Sequence, residues 1–116
     1  MALATANAKG LYEGTDEITL VPSEPNGLSV VTMLRVVNTD TTTIIPILRI
    51  LDENKLGLDE EYLKLIPDIT LQTSEYLEYQ GVVCVLSPGQ SLVTKLTSSV
   101  SANEPEWTVV WAKETF

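Results

Sequence analysis

Two neighbouring segments, LSVVTMLRVV at residues 28–37 and TIIPILRIL at residues 43–51, decide the fold class of this chain. Both are rich in β-branched and aliphatic residues, which favour extended strands. The segment NTDT at residues 38–41 lies between them and carries side chains suited to a tight connection. The pattern therefore predicts two strands that pair antiparallel, each covered by protein on both faces.

Three residues in these segments qualify that prediction. Arg35 and Arg49 each interrupt an apolar run, and a fully buried arginine is costly, so we expect both to emerge on one outer face or to meet a carboxylate. Pro46 cannot donate a ladder hydrogen bond. It therefore indicates an edge, a bulge or a strand that changes sheets.

Short β-type segments continue in both directions from this centre, separated by Pro, Gly and Asn turn signals. They are residues 17–21, 69–72, 76–79, 82–86, 91–97 and 107–113. This spacing predicts an all-β fold, an antiparallel β-sandwich of jelly-roll or immunoglobulin-like topology. In the last segment Trp107, Val109 and Trp111 share one face, so we expect them to pack in the core.

Residues 52–61 form an acidic, polar excursion between the two halves of the chain. Asp59 could cap a short helix over residues 59–66, whereas the alternation over residues 62–66 is typical of a strand. We favour one helical turn that leads into extended chain.

Length and charge bound the possible functions. A chain of 116 residues fits one domain with its own core. The net charge of −9 and the scattered basic residues argue against nucleic-acid binding. The longest uncharged stretch, residues 79–94, contains Gly and Pro and is too short for a membrane helix, and no targeting signal is visible at the start.

The first fifteen residues are small and weakly patterned, with Gly10 and Gly14 as breakers. We therefore predict a flexible, extended N-terminal arm over residues 1–15 and a single sandwich domain over residues 16–116. Apolar and basic side chains of the arm are the candidate partner contacts. These are Leu3, Lys9, Leu11 and Tyr12.

Catalytic constellations are missing from the sequence. There is no histidine, and the single cysteine, Cys84, stands in an aliphatic run where it is expected to be a small buried hydrophobe. The oxygen-bearing side chains at 52–54 and 59–61 lack the spacing of an EF-hand. We predict a protein that is not an enzyme, with no catalytic residues, no metal site and no cofactor.

The arrangement resembles the small β-sandwich virion structural proteins of tailed bacteriophages. The likeness rests on residues 29–52 with their NTDT turn, on ITL at 69–71, on YLEYQGVVCVL at 76–86 and on SPGQSL at 87–92. Gln90 departs from the pattern, because such proteins often carry an acidic residue after the glycine. The excursion at residues 52–61 is also longer and more acidic than the resemblance implies.

The resemblance implies a non-enzymatic cement or decoration protein on the outside of the capsid, made in the host cytoplasm and located in the virion. Its implied partners are the major capsid protein or other virion subunits, and a homo-oligomer, with a trimer favoured, is expected. Two alternatives remain open: a head-to-tail connector, neck or tail protein, and a carbohydrate-binding module that uses the four tyrosines and two tryptophans. Against the latter, Tyr76 and Tyr79 are out of phase along their strand.

Overall fold

The structure, a computed structural model, describes residues 2–116, and their side chains from residue 4 onward. Apart from one short 3-10 helix, Glu53–Lys55, every regular element of the described residues is a β-strand. The eight strands are β1 (Ala2–Leu11), β2 (Ile18–Val21), β3 (Gly27–Val37), β4 (Pro46–Asp52), β5 (Tyr62–Lys64), β6 (Tyr76–Leu86), β7 (Gln90–Leu96) and β8 (Glu106–Thr115).

The strands form two four-stranded antiparallel sheets. The first sheet has the order β1-β8-β3-β6 and the second has the order β2-β7-β4-β5. First pairs with last, second with seventh, third with sixth and fourth with fifth, so the chain is one long nested hairpin wrapped into two layers. This strand order is that of a jelly roll. The predicted all-β antiparallel sandwich is confirmed, and the jelly roll is selected over the immunoglobulin-like alternative.

Alternate residues of each strand point between the two sheets and form the core. Trp107, Val109 and Trp111 of β8 are buried there, as predicted, opposite Leu48 and Leu92 of the second sheet. Cys84 is half-buried against the same cluster. Burial raises the pKa of its thiol to about 11, which leaves it in the unreactive protonated form.

The predicted pairing of β3 with β4 is wrong, because the two strands lie in different sheets. Residues 38–42 cross from one layer to the other, and buried polar side chains hold this crossing. Asn38 donates from Nδ2 to the carbonyl oxygens of Thr42 and Leu71, at 2.9 and 3.0 Å. Asp40 accepts hydrogen bonds from the three backbone N–H groups of residues 101–103. Asn38 and Asp40, whose side chains are also suited to a hairpin turn, here form the hydrogen bonds of a buried corner between the two sheets.

The predicted flexible N-terminal arm is wrong over residues 2–11. These residues form β1, which pairs with β8 in one continuous register from Ala2↔Thr115 to Leu11↔Glu106. β1 is thus part of the sandwich, and no boundary separates it from the domain predicted to begin at residue 16. Its inward side chains are small because the two tryptophans of β8 fill the space beneath them.

The middle of the chain also differs from expectation. The helical turn expected over residues 59–66 is absent, and the alternative strand is present as β5; the only described helical turn comes earlier, at Glu53–Lys55. The two strands expected on either side of Gly81 are a single strand, β6. Gly81 has a φ of +92°, and residues 81–83 bulge away from β3 before pairing resumes.

The two arginines both reach an outer face, but not the same one as expected, because β3 and β4 lie in different sheets. Arg35 is exposed on the outer face of the first sheet, where its Nε lies 3.8 Å from Glu78 Oε1. Arg49 is partly exposed on the outer face of the second sheet. Pro46 is the first residue of β4, and β4 lies entirely in the second sheet. The chain before Pro46 changes sheets but no strand does, so the third of its alternatives, a strand that changes sheets, is not confirmed.

Candidate contact surface

The free edge of β1 distinguishes it from the other edge strands of the sandwich. β2 has four residues and a register shift, β5 has three residues, and β6 is bulged at Gly81. β1 runs for ten residues without a register shift and carries only one charged side chain, Lys9. Since β1 pairs with β8 alone, one row of its backbone N–H and C=O groups faces away from the sheet. Such an edge can accept a further strand.

The four predicted contact residues divide into different environments. Lys9 is exposed and Leu11 is 54% exposed, so both are available to a partner. Leu3 is part of β1, where its backbone pairs with Glu114 of β8, and its side chain lies outside the described part of the structure. Tyr12 is fully buried and therefore belongs to the core rather than to the surface, which corrects its predicted role.

Tyr12 is held by two hydrogen bonds at the end of β1. Its hydroxyl group lies 2.7 Å from Thr94 Oγ1 of β7, and its backbone N–H donates to the carbonyl oxygen of Pro105. Burial raises the pKa of the Tyr12 phenol to about 12, an effect that the hydrogen bond to Thr94 partly opposes. Tyr12 thus joins the end of β1 to β7 of the second sheet and to the residue that precedes β8.

A cleft of about 450 Å³ opens beside the same end of β1, and Lys9 and Leu11 form part of its wall. Gly10 is required at this point, because a Cβ atom there would lie only 2.8 Å from Cζ2 of Trp107. Trp107 also lines the cleft, and its buried Nε1 has no hydrogen-bond partner among the described residues. The remaining lining residues are Glu106 and Thr108 of β8.

The outer face of the first sheet, next to β1, carries several apolar side chains. Val30 and Met33 of β3 and Val110 of β8 point away from the core and are partly exposed. At the far edge Val82 is 72% exposed and Val85 is 49% exposed. We call these five residues the outer strip. An exposed apolar band of this kind on an acidic protein is typical of a protein contact surface.

Three observations describe the metal-ligating, aromatic and carboxylate side chains of the described residues. No group of three or more possible metal ligands is present among the described residues, and no described helix is long and apolar enough to cross a membrane. Trp107 and Trp111 are 9% and 6% exposed, so they offer no stacking platform to a sugar ring. The most strongly held carboxylate is that of Asp40, whose pKa is lowered well below its usual range, first by the hydrogen bond from Thr42. Its partners are all parts of the corner that it stabilises.

Comparisons with known proteins identify the fold. No protein-family model matches the chain, and no curated protein matches its sequence. Among solved structures, a subunit of the disulfide-linked pili that form Bacillus endospore appendages is similar, at 8% identity and a TM-score of 0.54, over 99% of this chain and 88% of that one. PirA is similar at 9% identity and a TM-score of 0.52, over 93% of this chain and 92% of that one.

A weaker similarity links the chain to the acidic stable capsid of Helicobacter pylori bacteriophage KHP30. The identity is 15% and the TM-score is 0.47, over 97% of this chain and 87% of that one. At such low identities the first two similarities establish a shared fold and nothing about function.

Proposed function

We propose that this chain is a non-enzymatic structural subunit of a virion, a cement or decoration protein that binds the outside of the capsid and stabilises it. The observation that carries the proposal is the free edge of β1, which is long, regular and almost uncharged. Natural sandwiches usually protect such an edge with charges, bulges or proline, and β1 has one lysine and neither of the other devices. An edge left open in this way is suited to an extended segment of a neighbouring capsid subunit.

The remainder of the surface is consistent with that role. The outer strip adjoins β1 through Val110 of β8, which pairs with Asn7, so one partner could cover both the edge and the strip. A cement protein needs many copies, because many modest contacts sum to a large stabilisation of the shell. We expect a homo-oligomer, with a trimer on the local threefold positions of the capsid, as the form that binds.

Immunogold electron microscopy of virions that carry the gene tests the location. Label distributed over the whole head is the expected result. Label confined to one vertex would replace the proposal with a head-to-tail connector or neck protein. Virions without label would remove the chain from the particle altogether.

A pair of variants tests the contact itself. The double variant Thr5→Lys/Asn7→Lys adds two charges along β1 at exposed positions, and lysine on an edge strand opposes pairing with another chain. The matched control is Thr19→Lys, which adds a charge at an exposed position of β2 in the other sheet. We expect the double variant to attach to heads that lack the protein at least about tenfold more weakly than the control does, which is about 1.4 kcal/mol. Equal attachment of the two folded variants would contradict the role of β1.

A further inference from the structure

A second surface feature lies on the opposite side of the molecule, on the outer face of the second sheet. Arg49 of β4 pairs with Val93 of β7, and Ile47 pairs with Lys95 two residues along. These four residues form a block in which the two apolar side chains lie on one diagonal and the two cations on the other. Diagonal neighbours in an antiparallel pair are about 7–8 Å apart, close enough for both cations to reach one small ligand.

The block forms the base of a cavity of about 100 Å³. Although Val93 and Ile47 are on an outer face, they are only 2% and 8% exposed, because longer side chains surround them. Tyr62 of β5 donates a hydrogen bond from its hydroxyl group to Glu17 Oε2, at 3.1 Å. This contact joins β5, at one edge of the second sheet, to the residue that precedes β2, at the other edge.

Two basic residues, Arg49 and Lys95, and one acidic residue, Glu17, line the cavity. Acidic residues outnumber basic ones by 16 to 7, and Arg35, Lys64 and Lys113 each have a carboxylate within 4 Å. The other four basic residues have none among the described side chains, and Arg49 and Lys95 are the two of these four that border the same cavity. Two like charges held side by side repel, and a shared anion would remove that repulsion.

We propose that this cavity binds a carboxylate group, with Arg49 and Lys95 as its charged partners. Arg49 supplies a planar fork of donors that matches a carboxylate, and Lys95 supplies a point charge. The apolar base of Ile47 and Val93 favours a ligand with an aliphatic stem over a bare inorganic anion. The volume of about 100 Å³ is below the ~150 Å³ of a cavity that holds benzene, which limits the stem to a short chain.

Two sources could present such a carboxylate: an acidic side chain of a neighbouring protein or a free short-chain acid. The experiment is a titration of the ¹⁵N-labelled protein followed by amide chemical shifts. The probes are glutamate capped at both ends, butyrate and, as the uncharged control, capped glutamine. We expect saturable shifts at residues 47–49 and 93–95 with a carboxylate probe and none with capped glutamine.

Variants assign the interaction to the two cations. Arg49→Gln and Lys95→Gln are each expected to weaken binding at least about tenfold, since each removes a charged hydrogen-bond donor. Lys55→Gln is the matched control, because Lys55 is an exposed cation away from the cavity, and it should leave the affinity unchanged. Glu17→Gln should strengthen binding several-fold, because it removes the negative charge at the rim.

The outcomes separate clearly. Binding of capped glutamate at least as tight as that of butyrate assigns the site to an acidic side chain of a partner, and tighter binding of butyrate assigns it to a free acid. Absence of saturable shifts with both probes, or equal weakening by Lys55→Gln and Arg49→Gln, would overturn the proposal. The site is on the sheet that does not contain β1, so its failure would leave the capsid proposal standing.

Discussion

The hydrogen bond between Tyr12 and Thr94 is expected to contribute measurably to the stability of the sandwich. It joins the end of β1 to β7 of the opposite sheet at 2.7 Å, with both residues almost completely buried. Tyr12→Phe removes the hydroxyl group and leaves the Thr94 Oγ1 atom buried without its partner. The desolvation cost of an unsatisfied buried group is about 1–3 kcal/mol, so we expect the free energy of unfolding to fall by that amount.

A double-mutant cycle distinguishes the hydrogen bond from simple packing. Thr94→Val keeps the shape of the side chain and leaves Tyr12 Oη unsatisfied instead, which should cost a similar amount. Replacing both partners with apolar groups of the same shape removes both unsatisfied atoms. We therefore expect Tyr12→Phe/Thr94→Val to be less destabilised than the sum of the single variants, with a coupling of about 1–2 kcal/mol.

Urea unfolding followed by tryptophan fluorescence measures all four proteins. With an m-value of about 2 kcal/mol/M, each single variant should lower the midpoint by roughly 0.5–1.5 M, and the double variant by less than the sum. Strict additivity, or a Tyr12→Phe variant as stable as the parent, would show that the hydrogen bond does not hold the two sheets together and would refute the reasoning.

Three other predictions follow from the same structure. Gly10→Ala should lower the free energy of unfolding by about 1–3 kcal/mol, because the new Cβ would overlap the Trp107 ring, whereas Asn7→Ala in the same strand should change it by less than about 0.5 kcal/mol in the same urea assay. The lowered pKa of Asp40 predicts stability that is present at neutral pH and declines as the pH falls below about 4; Asp40→Asn should be less stable at pH 7 and should lack part of that acid dependence in thermal melts. The raised pKa of Tyr12 predicts the opposite sign in alkali: stability is complete below about pH 10 and declines by about 1.4 kcal/mol per pH unit toward pH 12, a decline that Tyr12→Phe should reduce.

The strands with large apolar residues could be predicted from the sequence because their chemistry is local. β3, β7 and β8 begin and end within two residues of the predicted segments, and the alternation of β8 correctly identifies its core face. Which strands pair could not be predicted, since pairing depends on contacts between residues far apart in the chain. Asn38 and Asp40 illustrate this limit: their side chains are equally suited to a two-strand turn and to a buried corner that receives residues 101–103.

The carboxylate cavity was beyond sequence reasoning for the same reason. Arg49 and Lys95 are 46 positions apart in the chain, and neither stands in a recognisable motif. Only the register of β4 against β7 brings them onto one face with Ile47 and Val93 between them. The one usable signal was Arg49 itself, a cation within an apolar strand, which correctly indicated an outer face.

The prediction of a flexible arm was wrong for β1 because the inward-facing positions of this strand hold only small residues. Alanine occupies positions 2, 4, 6 and 8, and Gly10 continues the alternation, which is the period of a strand but without the large side chains by which strands are usually detected. In the sheet Ala6 pairs with Trp111 and Gly10 pairs with Trp107, so the bulk that β1 lacks is supplied by β8. Small side chains also affect the free edge of β1. A strand of small, nearly uncharged residues has little to shield its outer row of N–H and C=O groups. The residue sizes that prevented the detection of β1 in the sequence therefore also make its free edge the best candidate for a contact with another subunit.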